Sequence, residues 1–413
     1  MTRRNSWIRR IIAAGMTVSL VLSIMAPAWA EEVTEAQSYE DESTETELQP
    51  DDSASADTEN HPESTEDEEV QGQEIQLALE LLSEETDDDS RASGLSLTEA
   101  IGLSNNLALD EKNSKIINVT DGTGLILLSN VRPSDYCSGY TINLITTVGW
   151  NVTKSVEIAG KTYEFLGLGD ETNPYSGTFT LDKNTSASQY SITTSRALFN
   201  SLSTDAALSN TIPFIISSES SSEKPLLAEK LKKGSSDNKL TCNIVLREPN
   251  EGVSDAKIGG LIGTMETDTN ADISFENTVK SALTVKGEPH TGLFCNTMES
   301  GALLTATFTN TNNGKITVEA TANGADAGGF VGHMEDGTLT IAGKSVAQVN
   351  SDYGNAGGLV GSANGGAIQI KEDENTKTSF IFADSFALKA GSDKAAGGLI
   401  GKYKVVDSEI QTG

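Results

Sequence analysis

The stretch "NAGGLVGSANGG", residues 355–366, sets five glycines around one apolar pair. Such a loop can cradle a phosphate, or it can be a backbone corner in something that repeats. Its recurrence favours the repeat. "GGLIG" occupies 259–263, "GGFVG" 328–332, "GGLVG" 357–361 and "GGLIG" 397–401, and a degraded "TGLFC" spans 291–295 with Cys295 at the final glycine position. Counted at the second residue of each copy, the positions are 260, 292, 329, 358 and 398, at intervals of 32, 37, 29 and 40. A fixed motif at uneven spacing describes one supersecondary unit with loops of different length. Gly259, Gly260, Gly263, Gly292, Gly328, Gly329, Gly332, Gly357, Gly358, Gly361, Gly397, Gly398 and Gly401 therefore read as structural repeat glycines. Their expected roles are a backbone with φ > 0 and close approach of neighbouring chains.

Between the copies the chain alternates with period two. "ALLTATFT" (302–309), "KITVEA" (315–320), "TLTIAG" (338–343), "AIQIKE" (367–372) and "SFIFA" (379–383) are short, rich in Val, Ile, Thr and Phe, and bounded by Gly, Asn and Asp. That is strand chemistry with turns between. No helix-length apolar stripe follows residue 240. A propeller blade would carry an aromatic or Trp-Asp signature per repeat, and none is present. Stacked rungs that each touch only their neighbours fit better.

The segment 114–216, before the first clear glycine copy, has a different character, with "GLILLSN" (124–130), "LG" (168–169), "PYSGTF" (174–179), "LDKN" (181–184) and "ALFN" (197–200). With the glycine copies, this block resembles the opening rungs of secreted bacterial right-handed parallel β-helix proteins carrying GLUG-type repeats. "LDKN" stands where that family has Asp-Gly-Asn, and "ALFN" where it has Gly-Leu-Phe-Gly, which loosens the first tight turns. The resemblance covers about 114–413. It implies an all-β solenoid with an adhesin-like, cell-surface role, and says less about activity.

Catalytic readings find little support in the residues. A Walker-type loop needs G-x-x-x-x-G-K-[ST]. The nearest stretch, "AGGLIGKY", has Ala396 for the first glycine and Tyr403 after Lys402. A dinucleotide fingerprint must open a helix, and no helical stripe follows any copy. The three histidines are His61, His290 beside Pro289, and His333 directly after a glycine copy. They show no zinc-ligand spacing, and His333 reads as the edge of a corner rather than a general base. Glycoside hydrolysis needs two carboxyls across a bond. Asp326, Glu335, Asp336, Asp352, Asp373 and Glu374 are available, but sit beside Gly or Asn in solvated-turn contexts. The expectation is no cofactor, no metal and no catalytic set.

The ends and the charge place the protein. Arg3, Arg4, Arg9 and Arg10, an apolar run from Ile11 to Ala26 and the site Ala28-Trp29-Ala30 make residues 1–30 a secretory signal. Residues 31–92 hold 24 acidic residues against one Arg, a disordered spacer by composition, within which Ile75–Leu82 could form a short helix. The acidic balance, without a basic stripe, argues against nucleic acid. Cys137, Cys242 and Cys295 are odd in number and far apart, and read as buried apolar residues, although one pair could bridge. The expected organisation is signal (1–30), acidic linker (31–92), N-terminal cap and first rungs (93–216), and repeat β-helix (217–413). The function expected is a non-catalytic adhesin-like binding or display module for glycans or proteins, without a transmembrane segment. The alternatives are a carbohydrate-active lyase or hydrolase, and a stalk for a missing C-terminal domain. The abrupt end after Gly413 supports the stalk and predicts a longer chain.

Overall fold

The computed structural model describes residues 94–145, 149–181, 191–249, 252–254, 256–371 and 380–404. The expected signal, the acidic linker with its Ile75–Leu82 segment, His61, Asp373 and Glu374 lie outside the described residues.

The alternating segments form parallel ladders. In Asn270–Asn277 each second side chain is buried, so Ala271, Ile273, Phe275 and Asn277 face inward while Asp272, Ser274 and Glu276 face outward. This strand pairs in parallel with Leu240–Arg247 on one side and Leu303–Asn310 on the other, and Leu303–Asn310 pairs with Thr338–Lys344. Among the described residues, these strands belong to a nine-stranded sheet running from Trp150–Asn151 to Ala367–Ile370. A second sheet stacks seven strands, namely Phe199–Ser203, Ala228–Lys232, Ile262–Met265, Cys295–Met298, Val331–Glu335, Val360–Asn364 and Ile400–Lys404. A third has five strands from Ala256–Ile258 to Ala387–Lys389, and a narrow fourth joins Thr291–Gly292, Ala327–Gly328, Ala356–Gly357 and Ala396–Gly397.

Following the chain once around gives the turn. From Leu303–Asn310 it passes to Ile316–Ala320, then Ala327–Gly328, then Val331–Glu335, and returns to the broad sheet at Thr338–Lys344. The protein is thus a parallel β-solenoid of about seven turns. Of the expected segments, 302–309 and 338–343 fall in the broad sheet, as does Ala367–Ile370 from 367–372, whereas 315–320 lies in the third.

Stacking identical inward positions fills the core. Phe294 and Phe330 stack with ring centroids 5.1 Å apart and planes 7° apart, and Phe275 stacks on Phe308 at 5.7 Å. Phenylalanines of successive turns thus meet in the geometry that stacking favours. Polar side chains also repeat. Asn277 is buried and its Nδ2 donates to Asn310 Oδ1 at 3.1 Å, an amide ladder between two turns.

The N-terminal part is built differently. Helix α1, Leu97–Leu103, starts with a capping box between Ser96 and Glu99. Helix α2, Gly122–Ser129, contains most of "GLILLSN". It is capped by Asp121 and buries Leu125, Ile126, Leu127 and Leu128. A short helix that is apolar all round must be enclosed by the fold. It packs near Leu107–Leu109 and Trp150–Asn151. The adjoining sheet begins with an antiparallel pair, Leu107–Leu109 on Ile116–Val119, and continues in parallel through Thr141–Leu144, Thr178–Leu181 and Ala207–Leu208.

Candidate functional site

The motif glycines line one corner of the solenoid, and the strand register corrects the alignment of the degraded copy. Gly292 pairs with Gly328, which pairs with Gly357, which pairs with Gly397. Cys295 pairs with Ile262 and Val331, so it occupies the apolar position, and Asn296, not Cys295, stands at the final glycine. The reason is steric. A Cβ added to Gly328, Gly357 or Gly397 would lie 1.8 Å from the carbonyl oxygen three residues ahead, and at Gly292 2.3 Å from that of Cys295. The one glycine of the degraded copy goes to the position that cannot carry a side chain. In this register the spacing is 33, 36, 29 and 40 residues.

A second expectation also needs correction. Among the motif glycines only Gly260 has a positive φ, at 90°. At the others except Gly398, where a Cβ would meet nothing within 4 Å, glycine is required by close backbone approach rather than by backbone dihedral.

Asn296 is no decayed glycine. It is 1 % exposed, its Nδ2 donates to Gly259 O at 3.0 Å, and its Oδ1 accepts from Gly292 N at 3.1 Å. The side chain fills the corner between two turns and satisfies two buried backbone groups.

The glycines make room for a cluster of titratable side chains. Two residues before the first glycine, the column reads His290, Asp326, Asn355, Ala395, linked by Thr291 N–H to Asp326 O, Ala327 N–H to Asn355 O and Ala356 N–H to Ala395 O. On the neighbouring strands the outward column reads Thr297, His333, Ser362, Lys402. Gly332 stands between the columns; a Cβ there would be 2.8 Å from His290 Cβ. Without that side chain the two columns touch. His290 and His333 stack with centroids 4.9 Å apart. His290 Nδ1 accepts the backbone N–H of Asp326 at 3.0 Å. Ser362 Oγ donates to Asp326 Oδ2 and lies 2.7 Å from His333 Nδ1, while His333 Nε2 is 3.2 Å from Glu335 Oε1. Asp326 Oδ1 also accepts from Asn355 N and Nδ2, both at 2.7 Å.

Two sequence readings change here. Asp326 is a buried acceptor, not a solvated turn carboxylate. His333 lies within the strand Val331–Glu335, not at a corner edge. His290 does lie in a bend beside Pro289, and is half of an imidazole stack as well. The signal in the sequence was the column itself: the residue two places before the first glycine is polar in three consecutive turns once the register is set.

A serine touching a histidine that touches a glutamate invites a hydrolase reading. Ser362 does not fit it. Its hydroxyl proton is committed to Asp326, and the residue is only 6 % exposed. Glu335 is more open, and the Asn364 amide, then His333, hold its carboxyl below the usual carboxylate range. Burial, and then the His333 charge, depress His290, against the opposing pull of Asp326. Elsewhere, a shallow cleft is lined by Cys137, Asn173, Asp205, Lys233 and Ser235. Burial pushes the Cys137 thiol up to about 12, and the Ser236 and Ser235 hydroxyls hold Asp205 at about 2, so neither is tuned for proton transfer near neutrality. Cys242 and Cys295 are likewise buried at about 12, and all three cysteines are unpaired. Among the described residues, no group of three or more His, Cys, Asp or Glu could hold a metal, and no helix is long and apolar enough to cross a membrane.

The fold defines the class, a parallel β-solenoid. In comparisons with known proteins the chain matches no family model, no curated protein and no solved structure.

Proposed function

We propose that this is a secreted, cell-surface repeat protein of the GLUG-repeat β-helix kind, acting as a non-catalytic adhesin-like module that binds extended polar ligands such as glycans. The observation that carries this reading is the outer face of the broad sheet. Thr241, Asp272, Thr305, Thr340 and Gln369 follow one another in register across five turns. Parallel pairing sets such side chains about 4.8 Å apart in a straight column. Donors and acceptors repeated along a line suit a ligand that also repeats along a line. The export reading rests on the sequence of residues 1–30, and N-terminal sequencing of the exported product is expected to begin at Glu31.

A glycan array on the full chain, paired with reducing-sugar and unsaturated-product assays, tests the function. Binding without turnover is expected. Turnover of any polysaccharide makes the protein a carbohydrate-active enzyme. Failure to bind any glycan or host-surface protein leaves the stalk reading.

A further inference from the structure

The two histidines sit where three successive turns meet, and their hydrogen bonds are not interchangeable with respect to protonation. His290 Nδ1 accepts a backbone N–H, so its ring is neutral with the proton on Nε2; a second ring proton would remove that acceptor. The other ring belongs to a line of four groups, Asp326, Ser362, His333 and Glu335, joined by three links. Two carboxylates, one hydroxyl and one neutral imidazole carry two protons for those three links. One added proton, on His333, fills the last, because an imidazolium donates to Ser362 and to Glu335 together. The stack therefore has a place for one proton and none for a second. The charged groups facing it are Asp326, whose Oδ2 is 3.8 Å from His290 Nδ1, and Glu335. Lys404 acts on Glu335, and Lys402 follows Ser362 in its column.

We propose that the His290–His333 stack is an acid-sensitive latch across the corner, closed while His290 is neutral and released when both rings are charged. Release frees the Asp326 N–H and sets two cations 4.9 Å apart, loosening the contact between the turn entering at Thr291 and the turn entering at Ala327. The sign follows from the burial of His290. The unfolded chain binds this proton more readily than the folded one. The stabilisation is complete above the ordinary histidine value near ~6.5 and is lost as the pH falls through the lower folded value.

The experiment is an NMR titration of the histidine rings in the full chain, with hydrogen exchange at the Asp326 amide. The device is independent of what the protein binds. In the folded chain His290 should titrate below its value in the urea-unfolded chain. The Asp326 amide should lose about tenfold protection, relative to its intrinsic rate, as His290 charges, the size of one lost hydrogen bond. His290→Asn keeps an acceptor near the place of Nδ1 but cannot titrate, and should abolish that loss. His333→Gln should move the His290 titration upward. The latch is refuted if His290 titrates at or above its unfolded value, or if His290→Asn retains the full acid loss. Should that variant not fold, the wild-type titration and His333→Gln still decide.

Discussion

Two corners of the same sheet are closed by different means. Where Ala228–Lys232 begins, the chain reads Leu226-Leu227-Ala228-Glu229, without a glycine. Where Val331–Glu335 begins, it reads Gly328-Gly329-Phe330-Val331-Gly332. The backbone bonds are nevertheless alike. Leu227 N–H and Ala228 N–H both donate to Leu261 O at 2.9 and 3.2 Å, and Phe330 N–H and Val331 N–H both donate to Leu359 O at 2.9 and 3.0 Å. Glycine is thus not what bends the chain into the sheet. Within the narrow fourth sheet, which starts at Thr291–Gly292, each first glycine lies against the carbonyl three residues ahead, whereas Gly259, one turn before that sheet, lies against the Glu223 carbonyl. Glycine also clears the space in which the His290–Asp326 and His333–Ser362 columns meet.

If that contrast is right, substitutions at the two kinds of corner should differ widely. Gly357→Ala should cost the most, about 4 kcal/mol or more, because the new Cβ would meet the Val360 carbonyl at 1.8 Å and backbone cannot swing aside. Urea denaturation reads this, and a loss under about 1 kcal/mol would show the corner to be adaptable. Asn296→Ala should cost about 2–3 kcal/mol by leaving Gly259 O and Gly292 N buried and unpaired. Asn296→Gly should fare no better, although it restores the repeat; a stabilised glycine variant would mean that Asn296 is a decayed copy after all. The smallest effect belongs to the glycine-free corner. Glu229→Ala should change stability by less than about 0.5 kcal/mol, since its one ion pair, to Lys224, is long at 4.0 Å and exposed.

Much of this architecture was legible in the residues. Period-two segments such as 302–309 and 338–343 identified the strands, and the recurring glycines identified the stack. The local register at 291–296 was not legible, because "TGLFC" aligns by eye with Cys295 at the last glycine. Only pairing with the turns on either side places Gly292 under Gly328. The turns through Phe199–Ser203 and Ala228–Lys232 carry little of the motif, whereas the complete copy at 259–263 also lies outside the narrow sheet, so motif and sheet do not coincide. "GLILLSN" is as apolar as a buried strand, and its helical form depends on the cap that surrounds it. Asp326 looked like any turn carboxylate, for the residues that bury it arrive 29 and 36 positions later.

The unequal turn length has a mechanical meaning. Successive strands of the seven-stranded sheet are joined to one another by hydrogen bonds directed along the stack, so a pull along that axis opens one turn before the next. Each opened turn releases its own length of chain. Between Val331 and Val360 that is 29 residues, and between Val360 and Ile400 it is 40, or about 100 and 135 Å when drawn out. A molecule tethered at a surface would then yield under tension in graded steps of unequal size, with the order of release set by how firmly each corner is filled.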